Sequence, residues 1–213
     1  MKISSQSGTH MLSAQEALDR LKTGNNNFVR GEVRHKYLSH QERSDLALDQ
    51  HPFAIILGCS DSRVPAEMVF DQGLGDLFVI RVAGNVVAPS QVGSVEFAAE
   101  RYNCPLVVVL GHSHCGAINA TIETLMHPDK LPSRNLMSIV HRVRPAVEML
   151  FQTDLKNDVA KLSKHAVRAN VFASVNQLRH GSSVLENLID QGKLMIVGAE
   201  YSLESGEVVF LDY

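Results

Sequence analysis

No sign of charge predominates in this chain: 20 Lys and Arg stand against 23 Asp and Glu, a formal net charge of −3. Without a broad basic field it has nothing to hold a polyanion, which excludes nucleic acid and anionic membrane as expected partners. Long apolar runs are lacking too. Phe53 to Leu57 and Leu106 to Leu110 fall far short of the roughly 18 residues a membrane-crossing helix needs. Met1 to Ala14 carries one Lys but no continuous apolar stretch and no clear cleavage site, so no secretory signal is expected and the expected location is cytoplasmic. Cysteines number only three, Cys59, Cys104 and Cys115, which argues against a disulfide framework and leaves reduced thiols for metal or catalysis. With 45% hydrophobic and 20% charged residues, 14 Gly and 7 Pro, the composition is neither disordered nor collagen-like. Its 213 residues suffice for one well-buried domain.

Ser13-Ala-Gln-Glu16 spells a capping box, and Leu18 and Leu21 share one helical face. These predict a helix over 13–23, stopped by Gly24, with Asn25, Asn26 and Asn27 breaking the pattern. The polar stretch that follows, with Arg30, Glu32, Arg34 and His35, has little apolar surface for its own domain. Residues 1–50 are therefore expected to form an N-terminal helical arm that packs on a partner subunit, and 51–213 an α/β core.

In that core, Phe53 to Leu57, Leu77 to Val82 and Leu106 to Leu110 read as buried strands, with helices over Val92 to Tyr102 and Ala117 to Met126. Strands alternating with helices predict a central, mostly parallel β-sheet flanked by helices. Arg134 to Leu150 reads as a helix that Pro145 must kink or break. Apolar residues from Leu155 to Leu178 predict an amphipathic helix ended by Gly181. Ser183-Val-Leu-Glu186 starts a short helix, Leu194 to Gly198 is a strand, and Glu207 to Leu211 is an edge or final strand.

Two segments stand directly after apolar strands: Cys59-Ser-Asp-Ser-Arg63 and His112-Ser-His-Cys115-Gly116. In an open parallel sheet, ligands bind at that edge, in the crevice where strand order reverses. If the two strands are neighbours there, Cys59, His112 and Cys115 converge as two thiolates and an imidazole, a donor set suited to zinc. A closed structural site needs four such ligands, so the fourth position is open or contested. The contestant is Asp61, which either binds the metal in a closed state or pairs with Arg63. Cys104, with no ligand partner in sequence, reads as packing.

On these two motifs the chain resembles a β-class carbonic anhydrase. Further similarity lies in Ala17-Leu18, Gly24-Asn25 and Phe28, in Gly75 to Arg81, and in Ile196-Val197-Gly198. The resemblance implies one Zn2+ per chain on Cys59, His112 and Cys115, with Asp61 and Arg63 as a catalytic dyad. It places Gln50 where members with an open metal site carry a substrate-binding Gln, and Phe78, Ala83, Phe97 and Gly116 at the substrate pocket. Phe97 departs from the Tyr of many members and lacks the hydroxyl a relay there would use. Gly58 and Arg81 match a bicarbonate pocket of allosteric members, but Ile56 replaces its Trp. The implied assembly is a homodimer or homotetramer, with part of the pocket wall contributed by the neighbouring chain.

The implied reaction is reversible hydration of carbon dioxide to bicarbonate by zinc-bound hydroxide. Two thiolates cancel the formal charge of the metal, so the expected pKa of its water lies above the value near 7 of a three-histidine site, and activity is expected to rise with pH. His114 and His51 are candidate proton acceptors beside buffer and water. Three other readings remain at this stage. Hydrolysis of carbonyl sulfide or carbon disulfide shares the site. A zinc module without turnover needs a closed four-ligand centre, and thiol redox chemistry needs paired cysteines.

Overall fold

The four most apolar runs lie side by side as the parallel part of one sheet. They are β1 (Ala54–Gly58), β2 (Leu77–Arg81), β3 (Leu106–His112) and β4 (Met195–Tyr201), and β5 (Val208–Leu211) adds an antiparallel edge. The computed structural model describes residues 12–34, 38–130 and 132–211. Most of the Met1 to Ala14 segment, and His35 of the expected arm, lie outside the described residues. The strand order is β2-β1-β3-β4-β5. The chain leaves β1 for β2 on one side and returns to β3 on the other, so the order reverses between β1 and β3. Every residue of β1 and β3 is buried, as expected of strands covered on both faces.

One face is covered by α1 (Ala14–Arg30) and α3 (Ala66–Val69), with Leu18, Leu21 and Phe70 packed on Ile56, Val108 and Leu110. The other is covered by α4 (Pro89–Arg101), α7 (Val159–His180) and α8 (Ser183–Asp190). There Val95, Val171, Val175 and Leu185 pack on Ile55, Leu57, Val107 and Val109. A third apolar cluster joins α5 (Gly116–Met126) and α6 (Arg134–Phe151) to α7 through Ile118, Val143, Val147 and Leu162. No helix among the described residues is long and apolar enough to cross a membrane.

Several expected boundaries shift, each for a local reason. Helix α7 starts at Val159 with Asp158 as its cap, because a 3₁₀ turn takes up Asp154–Asn157. Ser182 rather than Ser183 caps α8: its hydroxyl accepts from Leu185 N, and it also donates to Glu96 at 2.6 Å. Helix α6 runs through Pro145 without ending there.

The larger correction concerns the N-terminal arm. Helix α1 does not stop at Gly24 but continues to Arg30, and it docks on its own sheet, with Ala17, Leu18 and Leu21 in the core. Asn25, expected as a breaker, is buried and fully bonded. Its Nδ2 donates to the carbonyls of Val69 (3.1 Å) and Gly206 (2.9 Å), and its Oδ1 accepts from Val208 N (2.8 Å). The remaining arm helix α2 (His40–Leu46) buries no residue.

Gly24 serves close approach rather than termination. A Cβ there would lie 1.7 Å from the carbonyl oxygen of Phe70 and 2.9 Å from Gln72 Nε2. Alanine gains about 1 kcal/mol of helix propensity over glycine, but overpacking against a fixed backbone costs about 1–3 kcal/mol or more. Here the clash wins, because a carbonyl cannot rotate aside as a side chain can. Gly24→Ala is expected to lower Tm by roughly 4–8 °C, the equivalent of about 2 kcal/mol in a chain this size. Thermal unfolding followed by circular dichroism reads it, and an unchanged or raised Tm would show that α1 stands off Phe70.

Candidate metal centre and active site

Parallel pairing of β1 with β3 sets Leu57 beside Val109 and Gly58 beside Leu110, so the segments after both strands emerge at the same point of the sheet edge. Cys59 follows β1 directly, His112 ends β3, and Cys115 is the residue before the first turn of α5. All three are buried, and their ligand atoms lie within 4.8 Å of one another. The expected convergence at the switch point is what the sheet produces.

The donor set fits a metal ion on its own chemistry. His112 Nδ1 bonds the Ser113 carbonyl at 2.8 Å, which makes Nδ1 the protonated nitrogen and leaves Nε2 as a lone-pair donor. That Nε2 is buried with no hydrogen-bond partner among the described residues, a costly state for a polar atom unless something else meets it. Without a cation the two thiols share the site unequally. Hydrogen bonding from Cys115 lowers the Cys59 pKa to about 4 against the cost of burial. Cys115 is pushed up by the same partner and by burial. For His112, burial opposes protonation, but the neighbouring Cys59 sulfur and the Ser113 carbonyl outweigh it and raise the pKa.

Backbone geometry holds these ligands. Gly84 N donates to Cys59 Sγ at 3.3 Å from a 3₁₀ turn, Ala83–Asn85, in which Gly84 has φ +70°. A Cβ at Gly84 would also meet the Ala117 side chain at 2.9 Å, so both conformation and space select glycine. Asn170 Nδ2 donates to the Gly84 carbonyl at 2.8 Å and pins the turn to α7. Ala83 stands in this turn, half-buried, and Gly116 opens α5, so both lie on the metal side.

Asp61 pairs with Arg63. Arg63 Nε and the Arg63 backbone N donate to Oδ1 at 2.9 and 3.0 Å, and Nη2 donates to Oδ2 at 2.7 Å. The guanidinium holds the Asp61 carboxyl well below the usual carboxylate range. Sequence reasoning missed how this loop is clamped. Arg81, the last residue of β2, donates through Nε to the Cys59 carbonyl (3.0 Å) and through Nη2 to the Asp61 carbonyl (2.6 Å). Only the register reveals it: Arg81 pairs with Gly58 and so stands beside the start of the loop.

The second motif is tethered to the β4–β5 connection. Ser113 N donates to the Tyr201 carbonyl (2.9 Å) and Ser113 Oγ to Glu204 (2.9 Å), while His114 Nε2 lies 2.6 Å from Glu204 Oε1. The Ser113 hydroxyl, with help from Ser202 and His114, holds Glu204 down at about 2. A cavity of about 910 Å³ lies on that side of the loop, and Ser113 and His114 are among its lining residues. Cys104 keeps apart: its thiol donates to the Pro52 carbonyl at 2.7 Å, and burial pushes its pKa up to about 12.

The remaining expected site residues are not gathered there. Phe78 pairs with Ile55, four residues before Cys59, or roughly 13 Å back along the strand at 3.3 Å per residue. Gln50 precedes β1 altogether. Phe78 and Phe97 rings lie 6.2 Å apart, and Tyr102 joins both, so Gln50, Phe78, Phe97 and Tyr102 make a second group near the amino end of β1. His51 belongs with that group and pairs on the surface with Asp49 at 3.3 Å. One chain therefore presents the candidate metal ligands at one end of β1 and the expected Gln50 and aromatic wall at the other.

The carbonic anhydrase family model matches residues 54–208. Among characterised proteins, carbonic anhydrase 2 of Mycobacterium tuberculosis is 42% identical over 193 residues, spanning 91% of this chain and 90% of that protein. The carbonic anhydrase of Mycolicibacterium smegmatis is 39% identical over 188 residues, 88% of each chain. The solved β-carbonic anhydrase CcaA superposes with a TM-score of 0.74 at 27% identity, covering 92% of this chain and 95% of that one. A tetrameric β-carbonic anhydrase from Sordaria macrospora superposes at 0.72 with 22% identity, over 90% of this chain and 94% of that one, which speaks to the fold alone. A zinc-type donor triad at the switch point of this sheet, a family match across most of the core and relatives over nine-tenths of the chain agree: the chain belongs to the carbonic anhydrase family, in its β class.

Proposed function

We propose that this enzyme catalyses the zinc-dependent, reversible hydration of carbon dioxide to bicarbonate and a proton, as a carbonate dehydratase with one zinc ion per chain. The carrying observation is the buried Cys59, His112 and Cys115 triad with an unpartnered imidazole nitrogen, beside an Asp61 held by Arg63. A zinc ion on these three atoms supplies a nucleophile near neutral pH by lowering the pKa of water. Asp61 is the residue that steers it. A carboxylate has about four acceptor positions, and Arg63 occupies three, two on Oδ1 and one on Oδ2. The one left on Oδ2 accepts the O–H of the nucleophile and turns its lone pair toward the carbon. Arg63 also keeps the carboxylate from taking the fourth ligand position itself. The clamp of Arg81 on both loop carbonyls keeps this geometry in place.

The apolar and amide part of the pocket comes from a second copy. Strand β2 is one edge of the sheet, opposite β5. Near it the chain leaves Phe97 52% exposed, Leu74 66% and Leu48 88%, more apolar surface than isolated side chains account for. A dimer that sets this group against the metal end of its partner reunites Gln50, Phe78 and Phe97 with Asp61 and the zinc ligands. Phe78 and Phe97 then pack on the apolar substrate, and the Gln50 amide donates to one of its oxygens. The active species is a dimer or a tetramer built from such dimers.

Stopped-flow hydration by zinc-loaded protein from about pH 6.5 to 9, beside a chelator-stripped sample, tests this directly. The expected result is metal-dependent turnover that rises with pH, from a species that sediments as two chains or more. Bound zinc without hydration at any pH would sink the reading and move the sulfur gases forward as substrates.

A further inference from the structure

Tyr102, to which the sequence reading gave no role, organises the group at the amino end of β1. It is the residue that closes α4. Its ring lies 6.1 Å from Phe78, tilted by 41°, and 5.7 Å from Phe97, edge-on at 84°. Two aromatic neighbours at these spacings restrict the ring. Phe97 brings no hydroxyl, so among the three rings the Tyr102 hydroxyl is the polar tip. It accepts from Gln50 Nε2 at 2.9 Å.

Gln50 needs such a partner. It lies between α2, which buries nothing, and β1, in a stretch with neither helix nor strand. Its own N–H bonds only the adjacent Asp49 carboxylate (2.8 Å), and Asp49 and His51 pair with each other at the surface. A free glutamine side chain samples many rotamers and can present either end of its amide. The bond to Tyr102 selects one orientation: one Nε2 hydrogen is held on the phenol, and the second hydrogen and the carbonyl oxygen remain for a ligand.

We infer that Tyr102 is a positioning residue for Gln50, holding its amide so that the remaining N–H is presented to a substrate oxygen in the partner chain's metal site. The inference rests on the reading above that Gln50 reaches the substrate across a dimer. Tyr102 does not touch the reacting atoms. Its contribution is orientation, and it should show where the substrate is captured rather than where the proton leaves.

The test is a double-mutant cycle on the zinc-loaded enzyme, with carbon dioxide hydration measured in high buffer. Tyr102→Phe keeps the ring contacts and removes the hydroxyl. It is expected to lower kcat/KM about three- to tenfold, the weight of one hydrogen bond, with kcat, zinc content and sedimentation unchanged. Gln50→Ala is expected to lower kcat/KM at least as much, and the double variant to match Gln50→Ala alone. Loss in Gln50→Ala with none in Tyr102→Phe overturns the role of Tyr102 while leaving the two-chain site standing. Full additivity, or a change in assembly size with Tyr102→Phe, also overturns it, because the hydroxyl then acts elsewhere. Unchanged turnover in Gln50→Ala removes the role of Gln50 itself, and that of Tyr102 with it.

Discussion

Asp61→Asn is expected to cut carbon dioxide hydration roughly a hundredfold or more while leaving zinc bound. A positioned acid–base or hydrogen-bonding group at a reacting centre is worth about 10²–10⁴ in rate, and Asp61 is held by three bonds from Arg63, all to its two oxygens. The amide is nearly isosteric but has one acceptor oxygen where the carboxylate has two. If that oxygen takes the Oδ1 place, it keeps the bonds from Arg63 N and Nε, but the NH2 group at the Oδ2 place loses the bond from Nη2, faces the nucleophile as a donor and cannot accept its O–H. If the amide flips, its NH2 group faces Arg63 Nε and the backbone N–H, two of the three bonds are lost, and the remaining Nη2 bond no longer fixes the oxygen. Either way the steering position is lost. The proposed zinc ligands are untouched, so metal content by elemental analysis should match the parent. Parent-like turnover in Asp61→Asn would remove the carboxylate from the reaction.

Cys59→Ser is expected to lower zinc affinity by more than the 10–100-fold that loss of an outer hydrogen-bond partner costs, and to abolish hydration with it. In the proposed centre Cys59 is one of three protein ligands among the described residues. Its thiol ionises readily in place, helped by Cys115, His112 and the Gly84 amide. A serine hydroxyl stays protonated near neutral pH and is a far weaker donor to zinc than a thiolate. Cys104→Ser is the control, because Cys104 is a buried thiol whose single bond to the Pro52 carbonyl a hydroxyl can copy. Competition against a zinc-binding dye should separate the two variants. Equal affinities would mean that the metal is held elsewhere.

The candidate metal-binding cluster was legible because its information is local. The type and spacing of Cys59, His112 and Cys115 mark a donor set, and each motif follows an apolar run short enough to be a strand. Neighbouring of β1 and β3 was the one condition needed, and the register supplies it. The capping box at Ser13 and the two buried central strands were equally readable, since caps and burial patterns act over a few residues.

What failed was the reading of residues whose partners are far away in sequence. Gly24 looks like a helix stop until the Phe70 carbonyl is placed against it, and Asn25 looks like a breaker until Val69, Gly206 and Val208 are found around it. Local propensity favours ending the helix there, but burial of Ala17, Leu18 and Leu21 against the sheet and the satisfied asparagine outweigh it. The expected arm therefore divides: α1 belongs to the core of its own chain, and only the later part, with α2, stays outside it.

By itself the sequence determined the α/β class, the donor set suited to a metal and the pairing choices open to Asp61, because residue types at strand ends carry that information. Tertiary structure alone decided which choice Asp61 takes, that Arg81 clamps its loop, and that Tyr102 meets Gln50. It also separated Gln50, Phe78 and Phe97 from Cys59, His112 and Cys115 along β1. The physical reason is that hydrogen bonds depend on distance and direction: the Arg81 and Tyr102 bonds join segments 20 to 52 residues apart, and even the neighbouring Asp61 and Arg63 meet only because the folded loop turns one toward the other.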